Sequence, residues 1–304
     1  MKSRELNLYS FSHEVATVPL MLGLVATFSA ALFAASKDLC SKALTTKITP
    51  TLSAVYSFSF ALPFYCIALL SLVFLDIPIF ALGREFYIFV LLRALSDMGA
   101  EWCRMFAVQH GDISLVTAFI SLTPLFLLFT SPLITGDLPT IEGCIGVLII
   151  TIGVFVLAGN RVVFAAQKTG ILYGLAAAFF FSLNACFDRL ATVHAHPFVS
   201  GFWMTLAAGI ILLAVSRSGA RQVLDARFPL ALLASRGLFE FLFMSSKLWA
   251  LQFFQAPYVA ALTKVSLILV ILGGGLFFRE EHIQRRLAGA GIIIIGSVLI
   301  ILYG

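Results

Sequence analysis

Runs of apolar residues, each about 20 long, alternate with short polar stretches along the whole chain, and that is the length a helix needs to cross a bilayer core. The pattern predicts helices at roughly 18–44, 52–75, 86–109, 114–134 and 141–157. After a polar stretch at 159–168 it restarts, with helices at about 170–191, 198–215, 229–253, 258–278 and 287–303. The first run is too long for a signal peptide and has a counterpart in the second half, so it counts as helix 1. The expected fold is an all-α membrane protein with ten transmembrane helices.

One segment departs from the apolar pattern. Arg93, Asp97, Glu101 and Arg104 lie inside the third helix. At 100° per residue, Arg93, Asp97 and Arg104 fall within about 40° of one another. The result is a nearly apolar cylinder with one narrow charged stripe. Helix 8 carries it again: Arg236, Glu240, Lys247 and Gln252 stand 143 positions after Arg93, Asp97, Arg104 and Gln109. Ionisable groups placed where lipid should be point to a polar cavity between helices.

The stripe belongs to a longer internal repeat. At an offset of 147, Gly23, Lys42, Pro50 and Ser53 match Gly170, Arg189, Pro197 and Ser200. At 143, Val116, Ala118, Asp137, Gly146 and Gly153 match Val259, Ala261, Glu280, Gly289 and Gly296. Residues 1–159 and 160–304 are thus two five-helix repeats. Five crossings is an odd number, so the second repeat is expected to enter the membrane from the opposite side. That is the inverted build of many secondary transporters, with the solute site near the midplane.

Composition agrees. The chain is 61% hydrophobic and 12% charged, with a mean hydropathy of +1.03, which excludes a soluble globular domain. The net charge of +5 sits mostly between apolar segments, where it sets topology and does not indicate nucleic acid. Cys40, Cys66, Cys103, Cys144 and Cys186 lie in or beside apolar runs without metal-ligand spacing. His194 and His196 are too few for a metal site, and no phosphate loop or nucleophile elbow occurs. Neither an enzyme nor a cofactor is expected.

The candidate solute-binding residues are Arg93, Asp97, Glu101, Arg104, Arg236, Glu240, Lys247, Lys264 and Asp38. Two readings stand for the stripe. Its charges contact a polar solute, or Arg93–Asp97 and Arg236–Glu240 are i,i+4 pairs that hold the bundle. Each acid has an arginine one turn away, and the repeat axis is expected to bring Asp97 and Glu240 together in a water-accessible cavity. Lys264 aligns with Ser121, so symmetry does not require its charge; it contacts solute or snorkels to the interface. Lys37 and Asp38 are neighbours about 100° apart and cannot both face one cavity squarely. Asp188, Arg189 and Lys42 read as helix-end residues at the interface, and Asp137 and Glu280 as cap or loop residues. Gly146 with Gly153, and Gly289 with Gly296, share faces suited to close helix packing. Trp102, Trp203, Tyr173 and Trp249 are candidate cavity aromatics.

Taken together, these residues resemble the drug/metabolite transporter superfamily, EamA type. The likeness is closest in APYVAALTKVSLILVILGGGLFFREEHIQRRLAGAGIIIIGSVLIIL, where Glu280, Gly289 and Gly296 occupy the family's acidic and glycine places. The first half repeats it as TPLFLLFTSPLITGDLPTIEGCIGVLIITIGV, with Pro124 at the family's helix-4 proline and Asp137 for the usual glutamate. Leu267 replaces the second-half proline, and the tryptophan common in family helices 1 and 6 is absent. The resemblance implies helices 1, 3, 4, 6, 8 and 9 around a central cavity, and transport of small metabolites.

The expectation is therefore a multi-pass protein of the cell (inner) membrane. Its partners would be the lipid bilayer and a small-molecule solute, and a homodimer is admitted. Charges of both signs favour a zwitterionic amino acid or derivative. The alternatives are a nucleotide or phosphorylated-sugar transporter, or a non-transporting scaffold or receptor on the same fold. Lys42, Lys47, Arg161, Lys168, Arg217, Arg221, Arg227, Arg279, Arg285 and Arg286 fall on one side, against Lys2, Arg4, Arg84 and Arg189 on the other. That bias puts both termini outside, whereas the family is often drawn with cytoplasmic termini.

Overall fold

The structure, a computed structural model, describes residues 2–44, 50–77, 79, 82–110, 119–158, 168–215, 230–269 and 283–303. Among them are ten α-helices and no strand. The first five are α1 (Lys2–Leu44), α2 (Pro50–Val73), α3 (Arg84–His110), α4 (Thr123–Ile134) and α5 (Ile141–Ala158). The second five are α6 (Lys168–His194), α7 (Pro197–Val215), α8 (Leu230–Phe253), α9 (Ala256–Leu262) and α10 (Ile283–Tyr303).

Every predicted apolar run overlaps one of these helices. Helix α1 extends back to Lys2 and carries Pro19 within it. A larger difference concerns helices 4 and 9, which are interrupted. Residues 119–120 are helical, a turn follows at Ser121 and Leu122, and α4 starts at Thr123. Helix α9 stops at Leu262 and passes through a 3-10 turn, Thr263–Val265, before residues 266–269 resume the helix. The remainder of these two predicted segments, 114–118 and 270–278, lies outside the described residues.

Helix pairing follows the repeat. Helix α1 packs on α8 as α6 packs on α3, and α2 packs on α8 as α7 packs on α3. Helix α4 lies on α6 as the 3-10 turn after α9 lies on α1. The equivalent helices α2 and α7, α4 and α9, and α5 and α10 meet one another directly.

Close approaches give the directions. A Cβ on Gly146 would lie 3.0 Å from the Gly296 carbonyl oxygen, and one on Gly153 3.0 Å from that of Gly289. Partner numbers fall as the chain advances, so α5 and α10 run antiparallel. Helices α2 and α7 do the same: Gly201 backs onto the Tyr65 ring and Gly209 onto Phe58. In both cases two equivalent helices point in opposite directions. Glycine lets the α5 and α10 backbones touch, as small residues do between membrane helices.

The polarity of the bundle is that of a protein in an apolar solvent. Leu91, Leu95, Leu133, Ile152, Leu172 and Ile295 are exposed, while Arg93, Asp97, Asp188, Asn184 and Glu240 are buried. Among the described residues, four helices are long and apolar enough to cross a membrane: Pro19–Cys40, Val55–Val73, Lys168–His194 and Pro197–Ala214. Helices α3 and α8 have the length, at 27 and 24 residues. What separates them from the four is the charge they carry along the stripe.

Candidate functional site

Charged side chains from α1, α3, α6 and α8 converge where the two halves meet, joined by Lys264 beyond α9. The buried part is a chain of alternating charges. Asn184 Nδ2 on α6 donates to Asp97 Oδ1 on α3 at 2.8 Å. Arg93 Nη1 donates to Asp97 Oδ2 at 3.1 Å, and its Nε donates to Asp188 Oδ1 at 3.3 Å. Lys247 on α8 completes the chain, with Nζ 2.6 Å from Asp188 Oδ2. Ser96 donates to Asn184 Oδ1, which orients that amide. Two cations thus face two carboxylates, every oxygen has a donor, and Asp188 is fully buried. A buried ion needs this satisfaction, because removing one partner strands the other without water.

A second cluster holds Glu240. Its Oε2 accepts from Lys37 of α1 at 3.2 Å and from Ser57 of α2 at 2.9 Å. The Lys37 ammonium also lies 4.3 Å from the centre of the Phe243 ring, a cation–π contact. Arg236 is within electrostatic range of Glu240, Asp38, Glu101 and Arg104.

Three of the candidate residues are less enclosed by the protein. Asp38 is exposed, and Arg104 and Glu101 form an i,i+3 pair at 3.1 Å with side chains 55% and 32% exposed. Lys264 is half-buried in the 3-10 turn, within electrostatic range of Asp38 and Lys247. Asp38 in turn is within range of Arg104, Glu240 and Lys264.

The structure corrects several expectations. Asp97 and Glu240 do not line an open cavity: each is only 9% exposed and sealed by helix contacts. The accessible charges sit about one to two turns further along α3 and on neighbouring helices. Arg93 pairs with Asp97 as expected, and Glu240, with Arg236 in electrostatic range, takes an ion pair from Lys37 on another helix. Asp188 is no interfacial helix end; it bridges two cations inside the bundle. A signal for it existed: Asn184 and Asp188 stand one turn apart on one face of an apolar segment, as Arg93 and Asp97 do. Arg189 is also drawn inward, with Nε 3.4 Å from Asp137 Oδ2 and Nη1 donating to the Leu251 carbonyl. Asp137 is therefore an ion-pair partner rather than only a loop residue. Lys37 and Asp38 both belong to the site, Lys37 through its contact with Glu240 of α8 and Asp38 within electrostatic range of Arg104 on α3 and of Lys264. Trp102 is 66% exposed, and Trp203 and Trp249 pack edge-on against Tyr87 and His196. The Gln109 and Lys42 side chains and Glu280 lie outside what is described.

Comparison with known proteins adds two findings. None of the curated proteins compared matches the chain. A solved structure described only as "Crystal structure of protein" superposes with a TM-score of 0.72, covering 91% of this chain and 95% of its own, at 15% identity. At that identity the likeness shows the fold alone. The EamA-like transporter family model matches residues 21–159 and 168–302, one match for each half of the charged interface. An apolar exterior, a two-fold helix arrangement and that double match agree: this chain is a membrane protein belonging to the EamA-like transporter family.

Proposed function

We propose that the protein is a secondary transporter of a small polar metabolite, with a zwitterionic amino acid or derivative as its solute. All ten helices cross the cell (inner) membrane, and the halves 1–159 and 160–304 are inverted repeats that rock about a site between them. The observation that carries this reading is the placement of charge. Accessible groups of both signs, Asp38, Arg104 and Lys264, stand beside an ion-pair chain that crosses between the halves. A membrane bundle that only needed packing would fill this region with apolar side chains at lower cost.

The buried chain supplies an element with two arrangements. Arg93 belongs to the first half, Asp188 and Lys247 to the second, and the Arg93–Asp188 contact closes the interface between them. Rocking the halves exchanges that contact for water or solute. A nucleotide or phosphorylated-sugar solute is the second reading, favoured by the proximity of Arg104 and Arg236.

The test is uptake and counterflow in proteoliposomes with a panel of amino acids, amines, carboxylates, nucleotides and sugar phosphates. Saturable accumulation of an amino acid supports the proposal. Accumulation of nucleotides or sugar phosphates alone supports the second reading. Absence of saturable flux for every solute, from protein that is folded and correctly inserted, overturns transport and leaves a scaffold or receptor.

A further inference from the structure

Asp38 and Lys264 carry opposite charges, lie within electrostatic range of each other, and do not pair. Among the described residues neither makes a hydrogen bond or an ion pair, although the other candidate acids and bases of the site do. Lys37, next to Asp38, closes on Glu240, and Lys247, also within range of Lys264, closes on Asp188. A carboxylate and an ammonium that lack partners among the described residues, within electrostatic range of each other in a membrane protein, are costly unless something else satisfies both.

The backbone at Lys264 is also unusual. The helix tightens there into a 3-10 turn, in which the Ser266 N–H reaches the Thr263 carbonyl. The other half breaks at the equivalent place. Ser121 is the repeat counterpart of Lys264, and around it Leu122 N donates to Phe119 O at 3.1 Å and Leu125 N to Leu122 O at 2.9 Å. A break inherited by both halves is a feature of the fold. The charge at one of them belongs to this chain's own chemistry. Mid-helix 3-10 turns mark hinges or sites, and interrupted helices carry solute contacts in inverted-repeat transporters. The 3-10 turn packs directly on α1, which bears Asp38.

We propose that Asp38 and Lys264 are the two poles of the solute site: Lys264 at the break seats the solute's carboxylate, and Asp38 seats its ammonium. This rests on the transporter reading above and assigns the two ends of the zwitterion.

The experiment uses matched probes: L-amino acids, their carboxamides, which lack the carboxylate, their 2-hydroxy-acid counterparts, which lack the ammonium, and inorganic phosphate. Binding is read first, from thermal stabilisation of the full chain in detergent, so that it does not depend on transport. Flux in proteoliposomes is read second. Lys264→Gln is expected to weaken amino acids and hydroxy acids by about tenfold or more and to spare carboxamides, because it removes one charge-assisted contact. Asp38→Asn is expected to weaken amino acids and carboxamides and to spare hydroxy acids. Lys264→Arg is expected to recover part of the carboxylate affinity. Equal losses for every probe with either variant would reduce the pair to a structural role and overturn the proposal. Stabilisation of the wild type by phosphate alone, or by no probe, would also overturn it. Selective binding without flux would instead keep the two poles and overturn transport.

Discussion

Lys37 and Asn184 occupy the same position of the two repeats, and each holds the carboxylate that the repeat places opposite it. Lys37 meets Glu240 at 3.2 Å, and Asn184 meets Asp97 at 2.8 Å. One contact is an ion pair and the other a hydrogen bond from a neutral amide. Asp97 also has Arg93 at 3.1 Å, and the amide satisfies its second oxygen. The duplicated geometry has therefore been kept while its charge diverged.

The first prediction follows from that pair. Lys37→Met leaves Glu240 buried with Ser57 and without the Lys37 ion pair, with Arg236 still in electrostatic range. The expected cost is about 3 kcal/mol, the usual range for stranding one member of a buried pair. Lys37→Met combined with Glu240→Gln should recover most of it. Thermal unfolding in detergent, run as a double-mutant cycle, checks this; additive losses would mean that the two residues are not energetically linked.

Asp188 serves two cations, so its loss should be worse than that of Asp97. Asp188→Asn removes the charge facing both Arg93 and Lys247, whereas Asp97→Asn leaves Arg93 with Asp188. Asp188→Asn is expected to cost about 3–5 kcal/mol, with Asp97→Asn clearly milder. Adding Lys247→Met to Asp188→Asn should restore part of the stability. The comparison is read from midpoints of thermal unfolding, and equal midpoints for the two single variants would contradict it.

Helix α10 offers a matched pair of glycines. A Cβ on Gly296 would lie 2.8 Å from the Gly146 carbonyl oxygen and 2.9 Å from the Ile150 nitrogen, both backbone atoms, whereas nothing lies within 4 Å of one on Gly291. Gly296→Ala should push α5 and α10 apart and cost about 1–3 kcal/mol. Gly291→Ala should be neutral or stabilise by up to about 1 kcal/mol through helix propensity. Unfolding midpoints in opposite directions confirm the contact.

The loop before α7 should respond to acid. His196 Nδ1 accepts from the Phe198 N–H at 3.3 Å, its carbonyl accepts from Ser200, and its ring stands edge-on to Trp249 at 5.4 Å. Burial holds its pKa below the ordinary histidine value of 6.5, since the charged form loses water. The folded state thus binds fewer protons than the unfolded one in that window. Stability from this site is present above the ordinary value and is lost as the pH falls through it towards the lower folded pKa. Protonation also removes the acceptor that caps α7. Acidification should quench Trp249 fluorescence in a Trp102→Phe, Trp203→Phe background, and His196→Gln should abolish that transition.

The apolar runs, the duplicated stripe and the spaced glycines were legible without coordinates because each is a local or periodic property. A helix in lipid must be apolar along its length, and a repeat shows as matching residues at one offset. From these came the all-helical class, the two-fold arrangement of the helices and the region where charge gathers. Pairing across helices is set by packing, and only the tertiary structure decided it. The sequence placed Arg236 one turn from Glu240, but antiparallel packing of α1 on α8 brings Lys37 to that carboxylate. It placed Asp188 near a helix end, but the approach of α3 and α8 buries it between Arg93 and Lys247. The break at Ser121 is followed by Pro124 in the first turn of α4, a local mark, since proline cannot donate to the carbonyl four residues back; the turn at Lys264 carries no proline or glycine, so nothing in the local pattern marked it. Burial and partner choice depend on which faces the two halves turn towards each other. That choice belongs to the assembled bundle, where a charge comes to rest only beside a group that can replace the water it has lost.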